Sequence, residues 1–336
     1  MINFNKKTFI IAEAGVNHNG ELSLAKQLVD IAKDAGADAV KFQTFKSENL
    51  ATINAKKATY QKETTSTDES QFDMLKKLEL THEMHIELIS YCKQQEILFL
   101  SSPFDCDSVV YLERLNLPVF KIPSGEILHV PYLRKIATIN KPTILSTGMC
   151  TMDDIEFGVK TLLNSGLDKS NLYLLHCTTE YPCPFEDVNL NAMATIQNKF
   201  GVPVGYSDHT PGITIPIAAV AMGATIIEKH FTLDKSLTGP DHRASLNPKE
   251  LKDMVDQIRI VEKVKGNGIK EPSLTEQKNI EIVRKSIVAK ENIQKGETFT
   301  IHNLICKRPA GGISPKEWDN ILGKKAKKNY EEGNLI

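Results

Sequence analysis

A chain of 336 residues is long for one average domain and suits a large domain with a smaller companion. Apolar residues make up 41% and charged residues 25%, close to globular averages, which argues against a disordered chain and a coiled coil. The formal net charge of −1 offers no basic face to nucleic acid or membrane, and apolar runs such as Ile213 to Met222 fall far short of a bilayer span.

The first residues, MINFNKKTFIIAEAG, run directly into a strand-like segment. They lack the apolar core and small-residue cleavage site of a secretory signal, so a cytoplasmic protein is expected. Eight short, nearly continuous apolar runs then read as strands buried on both faces: Phe9–Glu13, Ala39–Gln43, Ile97–Ser101, Val119–Ile122, Thr143–Ser146, Leu172–His176, Val204–Ser207 and Thr225–Glu228. Helical spacing fills the gaps. Leu22 to Ala35 ends at Gly36, Met84 to Gln95 and Asp153 to Leu163 follow, and Pro248 to Val264 starts behind Asn247 as its cap.

Eight β-then-α units over this length predict a (β/α)₈ TIM barrel across residues 1–265. A doubly wound sheet is the rival, but Asn17–His18–Asn19–Gly20 after the first strand is not its G-x-G-x-x-G loop. Residues 266–281, with Gly266, Gly268 and Pro272, read as a linker. Residues 282–336 read as a small second domain with a strand at Ser286–Ala289, too short for much core of its own and expected to dock on something. The six cysteines form no C-x-x-C pair and read as free thiols, Cys177 and Cys183 as buried ones.

Polar residues collect where the strands end, which is where barrel enzymes do their chemistry. In order these are Glu13; Lys41 and Gln43; Ser101 and Ser102; Lys121 and Ser124; Ser146 and Thr147; His176 and Thr178; Ser207, Asp208 and His209; Glu228 and His230. Two lysines inside apolar strands are costly unless paired and together suit a multiply charged anion such as a phosphorylated carboxylate. His209 and His230 follow neighbouring strands, about 4.8 Å apart in any sheet, and so can share one metal ion. An arbitrary histidine pair is more often packed core. The matched strand-end positions favour ligation here, by an ion such as Mn²⁺, and the lack of a cysteine ligand argues against a closed zinc site. His82 and His85 read as solvated at a helix start, His176 as core, and His18 and His242 as loop residues rimming the site.

These segments resemble the sialic acid synthase family over nearly the whole chain. The resemblance rests on IAEAGVNHNG (11–20), VKFQT (40–44), SSPFD (101–105), FKIPSGE (120–126), ILSTGM (144–149), LLHCTTEYP (174–182), GYSDHT (205–210), EKHFTLD (228–234), GPDH (239–242) and KRPAGG (307–312). It implies a TIM barrel followed by a C-terminal antifreeze-like (SAF, β-clip type) domain. It implies the N-acetylneuraminate synthase reaction: phosphoenolpyruvate, N-acetylmannosamine and water give a nine-carbon keto acid and phosphate. The alternative is the legionaminic acid synthase reaction on 2,4-diacetamido-2,4,6-trideoxymannose, or that of another nonulosonate synthase. It also implies a divalent metal, Mn²⁺ before Mg²⁺ or Co²⁺, and a homodimer in which each tail covers the partner's barrel.

Carried onto this chain, the resemblance puts the metal on His209 and His230 and phosphoenolpyruvate on Lys41, Lys121, Ser124, Ser146 and Ser207. Glu13, Gln43, Tyr181, Glu228 and Asp241 would face the sugar or the reacting water, and Arg308 would read the N-acetyl group. Thr179, or Thr178 before it, stands where some relatives carry asparagine. The base is Glu13 or the metal site. The rival functions are another phosphoenolpyruvate–aldose synthase, a metal-dependent aldolase, and a non-catalytic binder; phosphate release with phosphoenolpyruvate and sugar separates them.

Overall fold

The computed structural model describes residues 7–58, 61–62, 65 and 69–336; the expectation for residues 1–6 lies outside them. The chain forms two units, Met1–Gly266 and Asn267–Ile336. In the first, eight parallel strands alternate with helices: β1 (Phe9–Gly15), β2 (Ala39–Thr44), β3 (Leu98–Pro103), β4 (Phe120–Ile122), β5 (Thr143–Ser146), β6 (Leu172–Cys177), β7 (Val204–Asp208) and β8 (Ile226–His230). Their order is β3-β2-β1-β8-β7-β6-β5-β4, and the two end strands lie against each other, so the sheet closes as a (β/α)₈ barrel.

Two-residue periodicity sorts each strand into two faces. One face packs on the helices: Ile10, Ala12, Val40, Phe42, Phe120, Leu145, Leu174, Tyr206 and Ile227 join the large core there. The other face fills the barrel with a smaller apolar plug of Phe9, Ile11, Ala39, Leu100, Val119, Ile144, Tyr173, Leu175 and Ile226. Two residues further along six of these strands the interior turns polar: Ile11 gives way to Glu13, Ala39 to Lys41, Leu100 to Ser102, Val119 to Lys121, Ile144 to Ser146 and Ile226 to Glu228. The apolar plug forms the floor on which the polar layer stands.

All eight expected strands are present, several running one or two residues further than their apolar cores. The helices Leu22–Ala35 and Pro248–Val264 have the expected bounds. Asn247 caps the latter, its Oδ1 accepting from Glu250 N at 2.9 Å. The stretch read as linker contains a helix, Leu274–Val283, which a reciprocal cap between Ser273 and Glu276 nucleates. The second unit also has more core than its length suggested. Its antiparallel pair β9 (Ser286–Ala289) and β10 (Leu304–Lys307) packs with Ile293, Phe299, Ala326 and Tyr330.

Candidate active site

Parallel register sets Glu13 opposite Lys41 and His230, and Ser207 opposite Glu228. Side chains from adjacent strands, and from β4 and β8 on opposite sides of the barrel, then meet inside it. Lys41 Nζ lies 2.6 Å from Glu13 Oε2 and 3.7 Å from Glu228 Oε2, and it donates to Ser102 Oγ at 2.9 Å. Lys121 Nζ and Ser207 Oγ both donate to Glu228 Oε1 at 3.0 Å. Gln43 Nε2 reaches Glu13 Oε1 at 3.5 Å. The lysines are thus paired, which is what permits their burial.

The two carboxylates differ in proton affinity. Burial raises Glu13 to about 7, reinforced by Glu228 and only partly offset by Lys41. Burial also opposes ionisation of Glu228, but Lys121 and Lys41 outweigh it and hold that carboxyl at about 2. Glu228 is a fixed negative charge, whereas Glu13 can exchange a proton near neutrality, the division of labour expected of an acid–base site.

His209 and His230 face each other with ring centroids 5.6 Å apart. His209 Nδ1 bonds the Thr178 carbonyl at 2.6 Å, which fixes the proton on Nδ1 and turns Nε2 toward the cavity as an acceptor. His230 Nδ1 is buried with no hydrogen-bond partner among the described residues; its nearest acid is Asp241 Oδ2 at 3.9 Å. Burial lowers His209 to about 4 and His230 well below its usual value, so both rings are neutral. Gly15, at φ +55°, makes room for this: a Cβ there would stand 3.2 Å from His230 Cε1 and 3.4 Å from Glu13 Oε1.

Neutral, buried imidazoles with an orphaned nitrogen fit a divalent ion. Among the described residues no group of three or more His, Cys, Asp or Glu side chains is arranged to hold one. Water or substrate oxygens would complete such a sphere.

The remaining expected residues of the first unit line the same cavity of about 320 Å³. Ser124, on the turn after β4, accepts from Gly148 N at 2.8 Å. Ser146 Oγ is buried with no partner among the described residues. Thr179 packs where a side chain on Gly148 would otherwise sit. The Tyr181 ring lies 4.1 Å from that of His209. Asp241 is buried, which raises it to about 6. Arg308 belongs to the second unit, where its Nε donates to Val283 O at 2.9 Å.

Three histidine expectations change. His85 is not solvated: it is 1% exposed, bonded to Thr44 Oγ1 and the Thr81 carbonyl, both at 2.8 Å. His18 and His242 do not rim the cavity. Both are buried, and His242 ties Thr232 (2.6 Å) to Asn19 (3.2 Å), clamping the loop that carries Asp241. Helical and loop positions conceal such contacts from sequence.

Sequence reasoning missed two features. Lys229 is a further buried lysine within a barrel strand, but it points outward from β8 and is fully used by Asp208 and the Thr210 carbonyl; its odd place in the two-residue alternation marks it as facing away from Lys41 and Lys121. The segment between β2 and β3 also contributes Leu50, Gln61, Gln71, Met74, Leu75 and Leu78 to the cavity, and no strand-end rule points to it.

Known proteins resemble this chain along nearly its whole length. The NeuB family matches residues 28–270 and the SAF domain residues 284–336. N,N'-diacetyllegionaminic acid synthase of Campylobacter jejuni subsp. jejuni serotype O:2 is 58% identical, covering 98% of this chain and 99% of that one. The protein of the same name from Legionella pneumophila subsp. pneumophila is 48% identical, covering 98% and 93%. The crystal structure of N-acetylneuraminic acid (sialic acid) synthetase from Leptospira borgpetersenii serovar Hardjo-bovis superposes with a TM-score of 0.72 at 37% identity, covering 82% of this chain and 91% of that one. A family match over most of the chain, and relatives this similar along nearly its full length, establish that this chain belongs to the NeuB family of sialic acid synthases and ends in a SAF domain.

Proposed function

We propose that this chain condenses phosphoenolpyruvate with a 2,4-diacetamido-2,4,6-trideoxyhexose to give N,N'-diacetyllegionaminate and phosphate. The observation that carries the condensation is the cluster of Lys41, Lys121, Glu13, Glu228, His209 and His230 in one cavity. The choice of sugar is supported by the 58% and 48% identity to two N,N'-diacetyllegionaminic acid synthases, against 37% to the sialic acid synthetase. N-acetylmannosamine is the second reading, since it shares the acetamido group.

In this reading Lys41, Lys121, Ser124, Ser146 and Ser207 bind the phosphate and carboxylate of phosphoenolpyruvate. Oriented donors in a dry site stabilise charge that develops on the leaving phosphate. His209 and His230 would hold a divalent ion, Mn²⁺ first among candidates, whose chemistry is to polarise a carbonyl oxygen. Holding both substrates together replaces a bimolecular encounter with an oriented one. The enol carbon adds to the sugar aldehyde, leaving positive character at the carbon that bears phosphate. Glu13 takes a proton from the water that adds there. The tetrahedral centre then collapses to the ketone as its carbon–oxygen bond to phosphate breaks. Gln43, Tyr181, Thr179 and Asp241 face the sugar. We further propose a homodimer in which Arg308 of one subunit reads the acetamido group bound by the other.

Phosphate release from phosphoenolpyruvate, measured with each sugar, tests the proposal. Release that depends on the diacetamido sugar supports it; release with N-acetylmannosamine alone moves the assignment to sialic acid, and none with either rejects the condensation.

A further inference from the structure

The chain between β2 and β3 builds a structure of its own. It carries the helix Gln71–Lys77, started by a reciprocal cap in which Ser70 Oγ accepts from Asp73 N at 3.2 Å and the Asp73 carboxylate accepts from Ser70 N at 3.3 Å. Met74 and Leu78 are buried with Val16 and Phe45, and Leu50, Leu75 and Phe104 pack partly buried around them. Because this segment leaves from the C-terminal end of β2, its small core stands on the rim, beyond the lysines seated within the strands.

The cavity therefore has two chemically different ends. The floor carries the charged cluster. The wall facing it from the rim is Val16, Leu50, Met74, Leu75, Leu78 and Phe104. Gln71 lines the cavity beside this wall, and its carboxamide has no hydrogen-bond partner among the described residues.

We infer that this apolar wall, with Gln71 beside it, determines sugar specificity by selecting an aldose that is deoxygenated at C6 and carries an amide at C4. The inference rests on the condensation proposed above. In that reaction C1 of the sugar meets the enol bound by the floor, so C4 to C6 extend toward the rim. A C6 methyl group gains contact there and loses only water. A C6 hydroxyl would give up its hydrogen bonds to water and find no partner on aliphatic and aromatic side chains. A carboxamide supplies one donor group and one acceptor, the complement of an acetamido group.

The test compares kcat/KM of the full-length protein for 2,4-diacetamido-2,4,6-trideoxymannose, its 6-hydroxy counterpart and N-acetylmannosamine. The trideoxy sugar is expected to be preferred over the 6-hydroxy sugar by about 10-fold to 100-fold, the range an apolar pocket achieves for such a difference. Leu50→Asn and Leu75→Asn should each shrink that preference several-fold with KM for phosphoenolpyruvate unchanged. Gln71→Leu should reduce the preference for a C4 amide in the same way. Equal use of the 6-deoxy and 6-hydroxy sugars by the wild-type protein overturns the inference and leaves the condensation standing. So do folded Leu50→Asn and Leu75→Asn variants that keep the wild-type preference. Absence of phosphate release with all of these sugars overturns the condensation, and the inference with it.

Discussion

Lys41 Nζ stands 2.6 Å from Glu13 Oε2 across the β1–β2 ladder, with both side chains no more than 4% exposed. Such a pair hands an entering phosphate a lysine whose charge is already countered, so Glu13 must give way electrostatically when the anion binds. A carboxyl raised to about 7 by burial exchanges a proton near neutrality, and in its ionised form it can act as a base.

The sign of the pH dependence follows. Below about 7 Glu13 is protonated and cannot accept a proton from water; above it the base form prevails. Turnover should rise with pH through about 7. Glu13→Gln should lower kcat by about 10²–10⁴-fold, the usual contribution of a general base, and flatten that limb. Wild-type turnover in Glu13→Gln would remove Glu13 from the chemistry.

Lys121 and Glu228 form the second buried pair at 3.0 Å. Lys121→Ala should raise the Michaelis constant for phosphoenolpyruvate, since a charge-assisted hydrogen bond is worth about 1.5–3 kcal/mol. It should also lower the melting temperature, because Glu228 keeps its charge in a buried site. The double variant Lys121→Met, Glu228→Gln should recover stability without recovering activity. A Lys121→Ala protein with unchanged Michaelis constant would make this lysine structural only.

The histidine pair is tested by binding as well as by turnover. Chelation should abolish activity and Mn²⁺ restore it. Mn²⁺ should raise the melting temperature of the wild-type protein, and this shift should vanish in His209→Ala. Retention of both the thermal shift and full activity in chelated, Mn²⁺-restored His209→Ala would rule out this pair as the metal site.

Arg308 is tested by complementation. Arg308→Ala should impair use of the acetamido sugar and spare phosphoenolpyruvate binding. Mixing it with His209→Ala should return part of the activity, since a mixed dimer holds one site with an intact barrel and an intact tail. Mass spectrometry of tagged subunits checks that exchange occurs. Exchange without recovered activity would show that Arg308 does not act across subunits.

Much of this protein is legible from sequence because the barrel repeats one rule. Continuous apolar strands and amphipathic helices mark the eight units, and on six of the strands a polar residue two positions past the apolar plug marks the interior of the site. Glu13, Lys41, Lys121, Ser146 and Glu228 follow from that alternation alone. The helix Leu274–Val283 was legible too, in Ser273 and Glu276, although the neighbouring glycines obscured it. Tertiary structure decided which groups touch. Lys121 and Glu228 are 107 positions apart, and only barrel closure makes them partners. The unequal proton affinities of Glu13 and Glu228 arise from burial and from the number of lysines each one meets, quantities no local pattern carries. The apolar wall of Leu50, Leu75 and Leu78 is likewise invisible in sequence: leucines in and beside short helical segments look like any small core until the fold turns one side of them toward the cavity.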